Sequence, residues 1–152
     1  MVSMKFKLNQ MKGMFFDNPK IRNAIDTATR KVLSKFGAYV RTRARSSIRS
    51  RKGVSKPGRP PYSHTGLLKK FIFFGLDRAH RSVVIGPISL NTPTNAPQVL
   101  EYGGYPIIIK DYRSDVLQKK RRRRKIKPRP YMGPAFVKEL SGLPEKWRDS
   151  IK

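Results

Sequence analysis

The chain has 152 residues, enough to bury one core but not two, and no cysteine, which excludes disulfides, thiol catalysis and thiolate metal sites together. Its 35 Lys and Arg against 9 Asp and Glu leave a formal charge of +26, far beyond what solubility requires. Self-repulsion at that density opposes compaction and calls for an anionic partner, of which nucleic acid is the commonest, with acidic protein surfaces or anionic membranes as electrostatic equivalents.

No apolar run reaches the roughly 18 residues of a membrane span, and Met1 to Lys12 lacks the apolar centre of a signal peptide. The reading is of a protein soluble and intracellular where it is made, with no membrane partner. Met4, Phe6 and Leu8 alternate with Lys5 and Lys7, the period of a short strand or extended arm, and residues 1–17 are taken as an N-terminal arm. At Asp17-Asn18-Pro19 a capping residue precedes a proline suited to a first helical turn, and Phe16 stands where a hydrophobic staple belongs. A helix is expected from here.

Ile21, Ile25, Ala28, Val32, Phe36, Val40, Ala44 and Ile48 recur at threes and fours, so one face is apolar for about 30 residues, or roughly 45 Å of helix. The opposite face carries Lys20, Arg22, Arg30, Lys31, Lys35, Arg41, Arg45 and Arg49. A charged helix face is ordinarily just solvated, but beyond Val40 the arginines crowd around the helix and favour a polyanion contact. Residues 51–63, with Gly53, Pro57, Gly58, Pro60 and Pro61, break the helix and read as a basic, mobile loop.

Phe71–Phe74 and Ser82–Ile85 are β-rich runs joined by Gly75 to Arg81 and predict a hairpin. Turn residues from Asn91 to Asn95 lead to a helical turn over Pro97–Glu101, closed by Gly103-Gly104. Pro106–Ile109 resumes strand character, with Ile126–Arg129 returning antiparallel to it. Pro134 then opens a helix with Phe136, Val137 and Leu140 facing inward, broken by Gly142 and Pro144 before a last turn at Trp147 and Ile151. The expected fold is a single α+β domain, 1–152, in which a long N-terminal helix and a C-terminal helix pack on a small, mainly antiparallel sheet, with long basic loops.

The segment from Ala96 to Ala135 organises the rest. Two motifs rich in Gly and Pro, Ala96 to Gly104 and Pro128 to Ala135, flank the basic loop 110–127, whose densest part is Lys119, Lys120, Arg121, Arg122, Arg123, Arg124, Lys125, Ile126 and Lys127. Such a run contacts phosphates, with strong salt dependence and no sequence preference, and it lacks the interleaved aromatics that stack on bases. Its bland alternative is a localisation signal or a disordered tail, and its internal position between two motifs argues against a mere tail.

Catalysis finds little support. His64 and His80 have no second ligand at metal spacing, so a loop role outweighs ligation; Asp111 and Asp115 are better read as ion-pair partners of the basic loop than as a metal site. Gly103-Gly104 lacks the third glycine and following lysine of a phosphate-binding loop. No enzyme activity, cofactor or metal is expected.

Lys56-Pro-Gly-Arg-Pro-Pro61, Ser63-His-Thr-Gly-Leu-Leu-Lys-Lys70, Ser82-Val-Val-Ile-Gly-Pro87, Ala96-Pro97 with Leu100-Glu-Tyr-Gly-Gly104, and Arg129-Pro-Tyr-Met-Gly-Pro-Ala135 occur in an order that resembles the neck or tail-completion proteins of long-tailed bacteriophages, the lambdoid putative tail-component family related to minor tail protein Z. The resemblance covers roughly Ala38 to Ile151. It implies a structural virion protein, made in the host cytoplasm and assembled as a homo-oligomeric ring, of about six subunits, around the DNA channel of the neck. The implied neighbours are a head-side connector or head-completion protein and a tail terminator or tail tube protein, with non-specific double-stranded DNA inside. Glu101, Tyr102, Gly103, Gly104, Arg129, Pro130, Tyr131 and Met132 would then lie at subunit or neck contacts, and the loop carrying Pro57, Pro60, Pro61 and Tyr62 would dock on a neighbour.

About six loops of about ten charges each exceed the roughly 24 phosphates that duplex DNA presents over about 40 Å, so part of the charge must face acidic neighbours or solvent. The competing class is a basic RNA- or ribosome-binding protein, which accounts for the charge but leaves the Gly/Pro motifs unexplained.

Overall fold

The computed structural model describes residues 19–88, 95–106, 125–148 and 150. The N-terminal arm, the Asn18 cap and Phe16 staple, the turn at 91–94, the strand residues 107–109 and the last turn's Ile151 lie outside the described residues. So does the basic loop up to Arg124. The fold is α+β: a long helix, a two-stranded antiparallel hairpin and several short helices.

Helix α1 spans Pro19–Ser47. Its apolar stripe buries Ala28, Val32, Phe36, Val40 and Ala44, and Ile48 just beyond the helix is also buried. Ile21 and Ile25, by contrast, are 40% and 44% exposed. The stripe expected from periodicity is therefore a core element only from Ala28 onward. At its end, Ser46 and Ser47 turn their hydroxyls back on the carbonyls of Arg43 and Ala44, an arrangement that competes with the helical ladder, and Arg45 complements the helix dipole.

A four-residue turn of helix α2, Leu67–Lys70, leads into the hairpin. Strands β1, Ile72–Asp77, and β2, Ser82–Pro87, pair antiparallel from Ile72↔Pro87 to Asp77↔Ser82. The connection is shorter than expected, because Asp77 organises it locally: its Oδ1 accepts the N–H groups of Ala79 (3.0 Å) and His80 (3.2 Å), and Arg81 takes a left-handed conformation at φ 48°. His80 belongs to this turn, since its Nδ1 lies 2.7 Å from Asp77 Oδ2. Arg81 Nη2 meets Asp26 Oδ1 at 3.2 Å and ties the turn to α1.

A hairpin alone is marginal in water and needs a helix on its face. The pairing puts Ile72, Phe74, Leu76, Val83, Ile85 and Pro87 on one face, and α1 packs against both strands. Gly37 makes the approach possible: a Cβ there would stand 2.7 Å from Phe74 Cδ2 and 2.9 Å from Val83 Cγ2.

Helix α3, Ala96–Tyr102, carries Pro97 in its first turn as expected. Among the described residues the antiparallel return is a bridge between Gly104 and Ile126, which exchange two backbone hydrogen bonds (3.0 and 2.8 Å). Helix α4, Met132–Leu140, begins two residues before Pro134, and α5 spans Leu143–Arg148 with Pro144 in its first turn rather than as a breaker.

Phe136, Val137 and Leu140 were expected inward and are 43%, 65% and 44% exposed. Ala135 is the buried residue of α4, because the helix lies close against α1 and presents a small side chain there, with Phe136 reaching Phe36 edge-on from the rim. Glu139 receives the Arg43 guanidinium and lies 3.6 Å from Lys146 Nζ; the Arg43 hydrogen bond above all holds its carboxyl below the usual range, against the desolvation of its surroundings. The core gathers Phe36, Val40, Ala44, Ile48, Ile72, Tyr131 and Ala135, with Leu68, Val83, Ile85, Leu100, Met132 and Leu143 around it.

Candidate assembly interface

The two Gly/Pro motifs meet through one carboxylate. Glu101 Oε2 accepts the backbone N–H groups of Tyr131 (2.9 Å) and Met132 (3.1 Å), and Oε1 accepts that of Gly133 (2.7 Å). These are the orphan donors of helix α4, which has no capping side chain of its own: the position before its first residue is Tyr131. A charged acceptor at a helix start gains from both the donors and the dipole, so Glu101 caps α4 from 30 residues away. Gly133 permits the approach, since a Cβ there would stand 3.2 Å from Oε1.

Gly103 closes the other side of this clamp. Its φ of 79° is left-handed, and a Cβ would meet Ile126 O at 3.1 Å and Pro128 N at 3.2 Å. The N–H of Arg129 donates to Leu100 O at 2.6 Å, completing the seam between the motifs.

Arg129 extends the clamp into the loop 51–63. Its Nε donates to Ser55 O at 3.0 Å, while Gly58 N donates to Pro128 O at 2.9 Å. At the loop's far end, Ser63 N donates to Arg49 O at 3.0 Å within a parallel bridge between Arg49 and Tyr62. Ser55, Pro61 and Ser63 are buried. The loop expected to be mobile is instead pinned at both ends and along one side.

The sequence-derived contact residues separate by burial. Tyr131 is 1% exposed, a core residue, and its burial pushes the phenol far above the usual tyrosine range, with the Glu101 carboxylate adding to the rise. It is therefore not a surface that a neighbour can reach. Pro61 is buried too, and Pro60, Tyr62, Glu101, Gly103, Gly104, Arg129, Pro130 and Met132 are half-buried. Tyr102, 78% exposed, and Pro57 stand open.

Tyr102 and Met132 line an open cleft of about 410 Å³ with Ile85, Pro87, Ile88 and Pro97. Of the cationic residues read as DNA-facing, Lys125 and Lys127 are exposed beside the clamp, and Lys119, Lys120, Arg121, Arg122, Arg123 and Arg124 lie outside the described residues.

Comparison with protein-family models, curated proteins and solved structures finds no match for this chain. Among the described residues no group of three His, Cys, Asp or Glu is placed to hold a metal ion, and no helix is long and apolar enough to cross a membrane.

What the arrangement can do follows from its chemistry. It offers a rigid seam, an open apolar cleft and exposed cations. Sequence reading named the seam's residues without finding its chemistry, since a carboxylate 30 positions from its three donors leaves no local pattern. Ser55, in no motif, and Pro128, at the start of the second motif, both act through backbone carbonyls, which no side-chain pattern reveals.

Proposed function

We propose that the chain is a structural protein of the head-tail joint of a tailed bacteriophage, forming a ring around the DNA channel and linking the head-side connector to the tail. The observation that carries the reading is the Glu101 clamp. The two motifs in which the family resemblance lies form one locked unit, and that unit holds the Lys125 and Lys127 end of the basic run at the surface.

A rigid seam with an exposed aromatic and an apolar cleft beside it suits repeated contacts between copies, where Tyr102 of one subunit reaches a neighbour. Ring formation places the cations of every subunit around one axis, which accounts for a charge that a lone chain would be better without. Within such a channel the contacts are to phosphate only, so DNA passes without sequence preference.

Fractionation of lysates from phage-producing cells tests the proposal. The chain is expected in DNA-filled tailed particles, and its loss is expected to leave filled heads and free tails unjoined. Tailed particles formed normally without it, with the chain in ribosome or free RNA fractions, would overturn the reading in favour of an RNA-binding protein.

A further inference from the structure

Between Asp26 and Asp77 the chain has no acidic residue, while Arg49, Arg51, Lys52, Lys56 and Arg59 follow one another at the end of α1 and along the pinned loop. All five are exposed. Loops of this composition are ordinarily pliable, and an ion pair or a flexible arm loses entropy on binding. Here the backbone that carries the cations is held at several points: Arg49 in the bridge to Tyr62, Lys56 through the Arg59 N–H that its carbonyl accepts at 3.2 Å, and Gly58 on Pro128.

That last hydrogen bond also brings Lys127, the residue before Pro128, to the same part of the surface, with Lys125 two residues further along. Arg51 lies over the Tyr62 ring at 5.7 Å, held by a cation–π contact that leaves its donors available. None of the acidic residues engaged in the described salt bridges, Asp26, Asp77 and Glu139, is paired with any of these cations.

We propose that this face, Arg49 to Arg59 together with Lys125 and Lys127, is a preorganised binding surface for the phosphate backbone of duplex DNA, separate from the run at 119–124. The choice of DNA over another polyanion rests on the neck reading above; the preorganisation does not. Several cations on a fixed backbone match a polymer of regularly spaced phosphates better than an isolated acidic side chain. On this face Tyr62 is engaged by Arg51, which favours contacts to phosphate over stacking on single-stranded bases.

The test uses the full chain and a random-sequence DNA duplex, with affinity measured by fluorescence anisotropy across a series of salt concentrations. Each lost phosphate contact flattens the slope of log affinity against log salt by about 0.9. Replacing Arg49, Lys52, Lys56 and Arg59 together by Ser is expected to flatten it by about 2 to 4, with a thermal midpoint no lower than wild type, because the four side chains are exposed and their loss relieves charge repulsion. Lysine at the two arginine positions, with Lys52 and Lys56 retained, should restore most of the slope.

The effect should also appear in a chain already carrying Ser at Arg121 to Arg124. A slope unchanged by the four-Ser variant overturns the proposal and assigns the face to an acidic protein neighbour. Either result in solution is independent of where the chain sits in a particle, so failure here and failure of the neck reading are told apart.

Discussion

Glu101 is the residue on which both motifs depend, and its removal should cost more than an exposed cap. In Glu101→Ala three N–H groups at the start of α4 lose a charged acceptor, for a loss of about 2 kcal/mol and a melting midpoint lower by several degrees; Glu101→Gln, which keeps an acceptor, should lose about half as much. Equal midpoints for all three proteins in a thermal melt would show that water replaces the carboxylate at no cost.

Tyr131 sits directly beneath this cap, buried among α1 and the hairpin. Truncation to Ala should cost about 3 kcal/mol, measured by denaturant titration, since it empties an aromatic site in a packed core. Its ionisation has a defined sign. The folded chain raises the phenol above the unfolded value, so the neutral group's contribution is complete below about pH 10 and is lost as pH climbs beyond it; Tyr131→Phe should show a shallower alkaline decline.

Among elements, the contact between α1 and the hairpin is the tightest test of packing. Helix propensity favours Ala over Gly by about 1 kcal/mol, whereas a methyl at position 37 would overlap Phe74 and the stiff, β-branched Val83, a cost of about 1 to 3 kcal/mol. Overpacking should win, and Gly37→Ala should melt below wild type. A higher midpoint would mean that the hairpin shifts freely on α1.

This seam was legible in the sequence only in outline. The long helix over Pro19–Ser47 and the hairpin follow from local pattern, because apolar periodicity and β-rich runs are written in neighbouring residues. What escaped was set by distant partners. Ile21 and Ile25 continue a perfect stripe yet are exposed among the described residues, and Phe136, Val137 and Leu140 look inward by composition while Ala135 makes the close contact. The loop at 51–63 reads as free because its anchors are carbonyls and the side chain of Arg129, 74 residues from Ser55. Of the site, the residues were legible and the clamp was not.

For the whole molecule, charge governs both stability and partnership. With a formal charge of +26 and few ion pairs among the described residues, screening should stabilise the isolated chain, so its midpoint should rise between low salt and about 0.15 M, where the Debye length is about 8 Å. Phosphate polyanions should raise it further, as any ligand of the folded state does. A midpoint that falls over the same range would mean that attractive pairs, not repulsion, dominate the surface.

The ring is decided in the particle. A reconstruction of the intact virion should place this chain in the neck as a closed ring coaxial with the DNA, with the Tyr102 cleft at subunit contacts and the Arg49 to Arg59 face turned toward the duplex. A single off-axis copy, or density for this chain anywhere but the neck, would contradict it.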